Sequence, residues 1–287
     1  MRYGASTFIW TSPFGDDTLA LCDHVASLGF DTIEICIEDP ARVTGQAVAA
    51  AAAASGLEVV VCGAFGPERD VSHEDPSMRA KGVEYLQTCV ELAAAAGSRL
   101  VVGPMYATTG KTALLEPAQR AQQWNRAVES LRVVAADAQE RQVTLAIEPL
   151  NRFETDLVNT VEQGVTLCED IGADNVGLLL DTFHMNIEEK NIGDALRLAG
   201  AHLRHFHACE NDRGAPGSGH VEWPEVFAAL DDIGYDDTIV IESFTPEIKE
   251  IARAVSLWRP VAADGDTLAR DGLAFLRASN RRPEAIA

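Results

Sequence analysis

Val176-Gly-Leu-Leu-Leu-Asp181 is an unbroken apolar run closed by a carboxylate, and three other stretches share its design. Val143-Thr-Leu-Ala-Ile runs into Glu148, Leu203-Arg-His-Phe-His ends on His207, and Thr238-Ile-Val-Ile runs into Glu242. A charged group directly after Leu, Ile and Val is costly to desolvate unless something pairs with it. Four such residues, each closing a strand-like run, predict a divalent metal site at the mouth of a parallel barrel. Salt bridges along a barrel rim are the plainer explanation, but Lys and Arg partners near these positions are few.

Working outward, strand and helix signals alternate along the chain. Further strand-like runs are Tyr3–Ile9, Thr32–Ile37, Glu58–Cys62 and Arg99–Val102, which with Val143–Ile147, Val176–Leu180, Leu203–His207 and Thr238–Ile241 make eight. They are nearly continuous in Val, Ile and Leu, as strands covered on both faces should be. Helical periodicity fills the gaps, and Gly29, Gly56, Gly97, Gly172 and Gly234 sit where helices should stop. This predicts an α/β chain folded as a (β/α)8 TIM barrel. One domain over 1–287 is expected, with extra C-terminal helices in Glu247–Ser256 and Asp266–Ala278 and a frayed tail at 281–287.

Lys and Arg number 23 against 44 Asp and Glu, a net charge of −21. That field repels phosphate backbones and anionic membranes, so nucleic-acid and membrane partners are not expected. The first ten residues contain no h-region or cleavage site, and the longest apolar stretch is interrupted at Ser55-Gly-Leu-Glu58. Six scattered cysteines with no Cys-x-x-Cys pair suit reduced thiols. A soluble cytoplasmic protein is the expectation.

The residues around the four strand ends add candidates. Three carboxylates and one imidazole suit Mn²⁺, Mg²⁺ or Co²⁺ better than a structural zinc cage. His205 shares a face with His207 and is expected one layer down in the core. His184, one turn after Asp181, is either a metal ligand or a donor to a substrate oxygen. Glu154 either orients Glu148 or pairs with Arg152, and Arg213 brings a cation over the same mouth. Phe8, Trp10, Phe65 and Phe244 lie at or past strand ends, where they either wall a sugar site or pack in the core.

Four motifs together carry a family resemblance. Ile147-Glu-Pro-Leu-Asn-Arg-Phe-Glu-Thr155, Leu180-Asp-Thr-Phe-His-Met-Asn-Ile-Glu188, His205-Phe-His-Ala-Cys-Glu-Asn-Asp-Arg213 and Ile241-Glu-Ser-Phe244 resemble the ketose 3-epimerases of the xylose-isomerase-like barrel superfamily. The resemblance implies a Mn²⁺-type ion held by Glu148, Asp181, His207 and Glu242, with the two glutamates as acid/base pair. It implies substrate contacts from Glu154, His184 and Arg213. The expected reaction inverts C3 of a free ketose through a cis-enediolate. Cys62-Gly-Ala-Phe65 and Gly103-Pro-Met-Tyr106 match no particular sugar.

Alternative activities on the same barrel are a hydroxypyruvate-isomerase-like ketose/aldose isomerase and a keto-inositol dehydratase. A phosphodiesterase of the endonuclease IV type is more remote, because its metal cluster needs more histidines than this chain's seven can supply. A homodimer or homotetramer is expected, with Trp258, assigned to a late helix, at or beside the interface. Scarce basic residues near the mouth predict a preference for free sugars over sugar phosphates.

Overall fold

Eight parallel strands close into a barrel in sequence order in the computed structural model, which describes residues 1–280, and β8 pairs back onto β1. The strands are β1 (Arg2–Ser6), β2 (Thr32–Ile37), β3 (Glu58–Gly63), β4 (Leu100–Gly103), β5 (Thr144–Ile147), β6 (Val176–Asp181), β7 (Leu203–Ala208) and β8 (Thr238–Ile241). Around them run α1 (Leu21–Ser27), α2 (Gly45–Ser55), α3 (Pro76–Ala96), α4 (Pro117–Glu140), α5 (Val161–Ile171), α6 (Thr182–Glu188), α7 (Ile192–Ala199) and α8 (Trp223–Asp232). After β8 come α9 (Lys249–Ala254) and α10 (Gly265–Ser279), inside the two C-terminal helical stretches the sequence predicts, give or take a residue. The expected tail, 281–287, lies outside the described residues.

Helix boundaries follow capping chemistry. Asp75 accepts from the Ser77 amide to start α3, with Pro76 in the first turn, and Thr160 and Gln163 form a reciprocal capping box on α5. All five predicted glycine corners take positive φ, the conformation that lets a helix stop and turn back to the next strand.

β1 is shorter than its apolar run suggests. It stops at Ser6, and Thr7–Ile9 forms a single 3-10 turn, because side chains there take over backbone partners. Thr7 Oγ1 accepts the Cys36 amide at 3.2 Å and Ser6 Oγ accepts the Phe8 amide at 3.5 Å. The turn sends Phe8 into the mouth of the barrel and Trp10 away from it. Trp10 Nε1 donates to Asp266 of α10 at 2.8 Å, so Trp10 is not part of the mouth's aromatic wall.

One apolar core lies between sheet and helices, and a smaller one fills the barrel. The inner one, with Val60, Val102, Ala146 and Leu179, is unusual in also enclosing Glu34, Cys36, Cys62, His205 and His207. Among the described residues no helix is long and apolar enough to cross a membrane.

Candidate metal centre

Parallel strands that finish side by side bring the residues at their ends together. Glu148 follows β5, Asp181 closes β6, His207 lies on β7 and Glu242 follows β8, and each offers a ligand atom within 4.8 Å of the others. All four are buried. Asp181 doubles as the N-cap of α6, its Oδ1 accepting from the Phe183 amide at 2.7 Å, which leaves Oδ2 facing the cluster.

The imidazole of His207 is held from behind. His205 and His207 both donate through Nε2 to Oε2 of Glu34, at 3.0 and 2.9 Å. His205 is thus the core histidine one layer down that its spacing predicts. With Nε2 committed, Nδ1 of His207 faces the cluster, 3.6 Å from Glu242 Oε2 and without a hydrogen-bond partner. Glu148 Oε1 is likewise buried and unpartnered. Two buried polar atoms without partners, set among three carboxylates, are expensive as they stand. They form the donor set of a hard-to-borderline divalent ion, so the residues present fit one. A carboxylate fixing the far nitrogen of a ligating histidine is the usual support of such a site.

Glu34 was not singled out from the sequence. Its signal was a lone carboxylate inside Thr32-Ile-Glu-Ile-Cys-Ile37, a strand buried at every position. Burial would raise its pKa, but His207 and His205 outweigh that and hold it down at about 2. His207 is the reciprocal case, burial opposing its charge and Glu34 and Glu242 pulling its pKa well above the usual imidazole range.

Arg213 inserts a fixed positive charge into the same cluster. Its Nη1 donates to Asp181 Oδ2 at 2.6 Å and to Glu242 Oε2 at 3.0 Å, and the guanidinium lies 4.0 Å over the ring of Phe183. The residue has φ of 68°, uncommon for a non-glycine side chain. Its amide donates to Glu210 O at 3.0 Å and its carbonyl accepts from Ser243 Oγ at 2.5 Å, which holds that conformation.

The two glutamates are pulled apart. Burial and the neighbouring Glu242 push Glu148 well above the ordinary carboxylate range. Burial acts on Glu242 as well, but His207 and Arg213 outweigh it and hold that carboxyl low. Two like charges this close do not ionise equally.

His184 is neutral, brought down to about 3 by burial and by Arg213. Its Nδ1 accepts the Asn151 amide at 3.1 Å, and its Nε2 lies 3.0 Å from Arg213 Nη2 and 3.6 Å from Glu148 Oε1. Asn151 Nδ2 also donates to Glu154 Oε1 at 2.8 Å, whereas Arg152 pairs with Glu188 at 2.9 Å. Glu154 therefore belongs to the mouth and not to a surface pair with Arg152. Above the cluster opens a cavity of about 640 Å³ lined by Glu148, Glu154, His184, Arg213 and Glu242 and walled by Phe8, Phe65, Phe153, Phe183 and Phe244. Phe153, Phe183 and Asn151 were not expected there, because nothing in their local sequence says which way the β5 and β6 loops fold.

A family model described as Xylose isomerase-like TIM barrel matches residues 22–279. An L-ribulose 3-epimerase of Mesorhizobium japonicum is 36% identical over 99% of this chain and 97% of its own. A D-psicose 3-epimerase of Agrobacterium fabrum is 33% identical over 93% of this chain and 94% of its own. The crystal structure of D-psicose 3-epimerase with D-tagatose from Clostridium cellulolyticum superposes with a TM-score of 0.91 at 31% identity, covering 98% of this chain and 100% of that one. The chain belongs to this xylose-isomerase-like barrel class and, within it, to the ketose 3-epimerases, isomerases that act on sugars.

Proposed function

We propose that this protein inverts C3 of a free ketose with Glu148 and Glu242 as its acid/base pair. The observation that carries the reading is the placement of these two buried carboxylates, at strand ends that converge on one ligand cluster and both facing one cavity. Two carboxylates facing one cavity offer one group to take a proton and another to give one. The proton on C3 leaves to one glutamate and a proton arrives on the opposite face from the other. The roles exchange between a ketose and its epimer. Arg213, held beside His184, is a donor facing the place where oxygen charge grows, and Glu154, fixed by Asn151, orients a substrate hydroxyl.

Glu148, Asp181, Glu242 and His207 through Nδ1 would hold the divalent ion, Mn²⁺ in our reading, with Co²⁺ or Mg²⁺ as substitutes. When bound, such an ion supplies Lewis-acid stabilisation of the charge that builds on the carbonyl oxygen. The aromatic wall and buried floor keep water from the reacting carbon. Among the described residues lining the cavity Arg213 is the sole cation, and two carboxylates already engage it, which favours an unphosphorylated sugar.

A homodimer or homotetramer and a cytoplasmic location belong to the same reading. Trp258 supports the former: it is 75% exposed and lies in the connection between α9 and α10, not in a helix, so it does not pack on its own barrel. The six buried free cysteines are compatible with the latter.

The deciding experiment incubates the metal-loaded protein in D₂O with a panel of ketohexoses and ketopentoses. Deuterium at C3 of the epimerised product is the expected result. An aldose product labelled at C2 would make it a ketose/aldose isomerase, and loss of a hydroxyl would make it a dehydratase.

A further inference from the structure

The first half of the barrel carries a second group of ligand-type side chains, whose two cysteines play no part in the proposed reaction. Glu34 and Cys36 are two apart on β2 and face the same way, and Cys36 is in register with Cys62 on β3. Glu34, Cys36 and Cys62 each offer a ligand atom within 4.8 Å of the others, and all three are buried. Ser6 Oγ is 3.5 Å from Cys36 Sγ and adds an oxygen at the edge of the group.

The two oxygens of Glu34 differ. Oε2 accepts from His205 and His207, whereas Oε1 is fully buried and has no hydrogen-bond partner. A buried carboxylate oxygen left without a partner, on a residue clustered with two thiols, is an expensive arrangement for a protein interior. A cation would satisfy it. Two sulfurs and one oxygen make a softer set than the three carboxylates and imidazole above, so the two clusters suit different ions. Cys62 lines the cavity at the mouth, which gives an ion a way in.

We propose that Glu34, Cys36 and Cys62 form a second metal site inside the barrel, selective for a soft or borderline divalent ion of the Zn²⁺ or Cd²⁺ kind. Binding replaces two S–H protons by one M²⁺ and releases both protons to solvent. The site shares Glu34 with His207, so its occupant and the ion at the strand ends communicate through a single carboxylate.

The test titrates CdCl₂ into protein already loaded with Mn²⁺ and follows the thiolate-to-cadmium ultraviolet band together with bound cadmium after dialysis. One further equivalent of cadmium with a thiolate band is expected. Cys36→Ser should weaken that binding at least about tenfold, the lower end of what losing even an outer partner costs a metal site. Its Mn²⁺-supported turnover without cadmium should be unchanged. Cys36→Ala, which leaves no polar atom on that side chain, must lose the same band, and a thermal melt of each variant confirms that it is folded. A full-strength band in both variants would move the thiolate to Cys209, whose Sγ is 3.4 Å from Asp181 Oδ1, and overturn the proposal. So would the absence of any cadmium beyond that exchanging with Mn²⁺. Cadmium binding is read without turnover, so its failure is separable from failure of the epimerase reading.

Discussion

The two halves of the barrel carry their polar residues at different heights. In β5–β8 four ionisable groups stand at the ends of the strands, where Glu148, Asp181, His207 and Glu242 converge, with His205 alone of the buried ones a layer below. In β1–β4 they are sunk within the strands: Glu34 is the third residue of β2, and Cys36 and Cys62 lie just above its level. Glu148 and Glu242 of the upper group line the cavity, as does Cys62 of the lower one, whereas Glu34 sits beneath it against His207. The division shows how the barrel separates labour. One half presents the groups that meet substrate, and the other fixes their orientation from below.

The largest effect should come from the upper half. Glu148→Gln and Glu242→Gln each remove a proton-transfer group at nearly constant volume, and turnover should fall about 10²–10⁴-fold while circular dichroism stays native. Metal content must be measured in parallel. A near-normal kcat in either variant would end the two-carboxylate mechanism and with it the special role given to this half.

Removing the metal tests the same half as a unit. Chelation should abolish activity, and Mn²⁺ or Co²⁺ should restore it. Full turnover by metal-free protein would leave the strand-end cluster without its proposed purpose.

The lower half is probed by Glu34. Glu34→Gln should weaken Mn²⁺ binding about 10–100-fold, with the loss recovered at higher metal concentration, because it disturbs His207 without removing a ligand. Glu34→Ala should cost about 3–5 kcal/mol in urea unfolding, since one carboxylate serves two buried imidazoles. Unchanged metal affinity in Glu34→Gln would erase the distinction between a presenting half and an orienting half.

The smallest effect belongs to the seam where the halves meet, which α10 covers. Asp264 caps that helix, accepting from the Thr267 amide at 2.6 Å, and this hydrogen bond holds its carboxyl below the ordinary range. A lowered folded pKa gives stability that is present above the unfolded value and lost as pH falls through the folded one. Asp264→Ala should therefore melt slightly below the parent at neutral pH, and the two curves should converge in acid. A gap that persists in acid would show that the cap acts through something other than its charge.

The upper half was legible in the sequence because a carboxylate after an apolar run breaks the pattern where barrel chemistry is expected to lie. Glu34 was hidden because one polar residue inside a strand looks like half of an alternation. Whether it faces solvent, helices or the barrel axis is a matter of register. The same limit explains Trp10, which the shortened β1 turns toward α10, and Trp258, which lies in a connection and not in a helix.

Local sequence determined the count and order of strands, the glycine corners and the four strand-end residues, because periodicity and capping act over a few residues at a time. Tertiary structure alone decided that Glu34 reaches across the barrel to His205 and His207. It also decided that His184 is set between the Asn151 amide and Arg213, and that Glu154 joins the mouth while Arg152 turns to Glu188. The first of these depends on closing the barrel, which brings β2 within hydrogen-bonding reach of β7 although Glu34 and His207 are 173 residues apart in sequence. No local propensity encodes a contact of that kind.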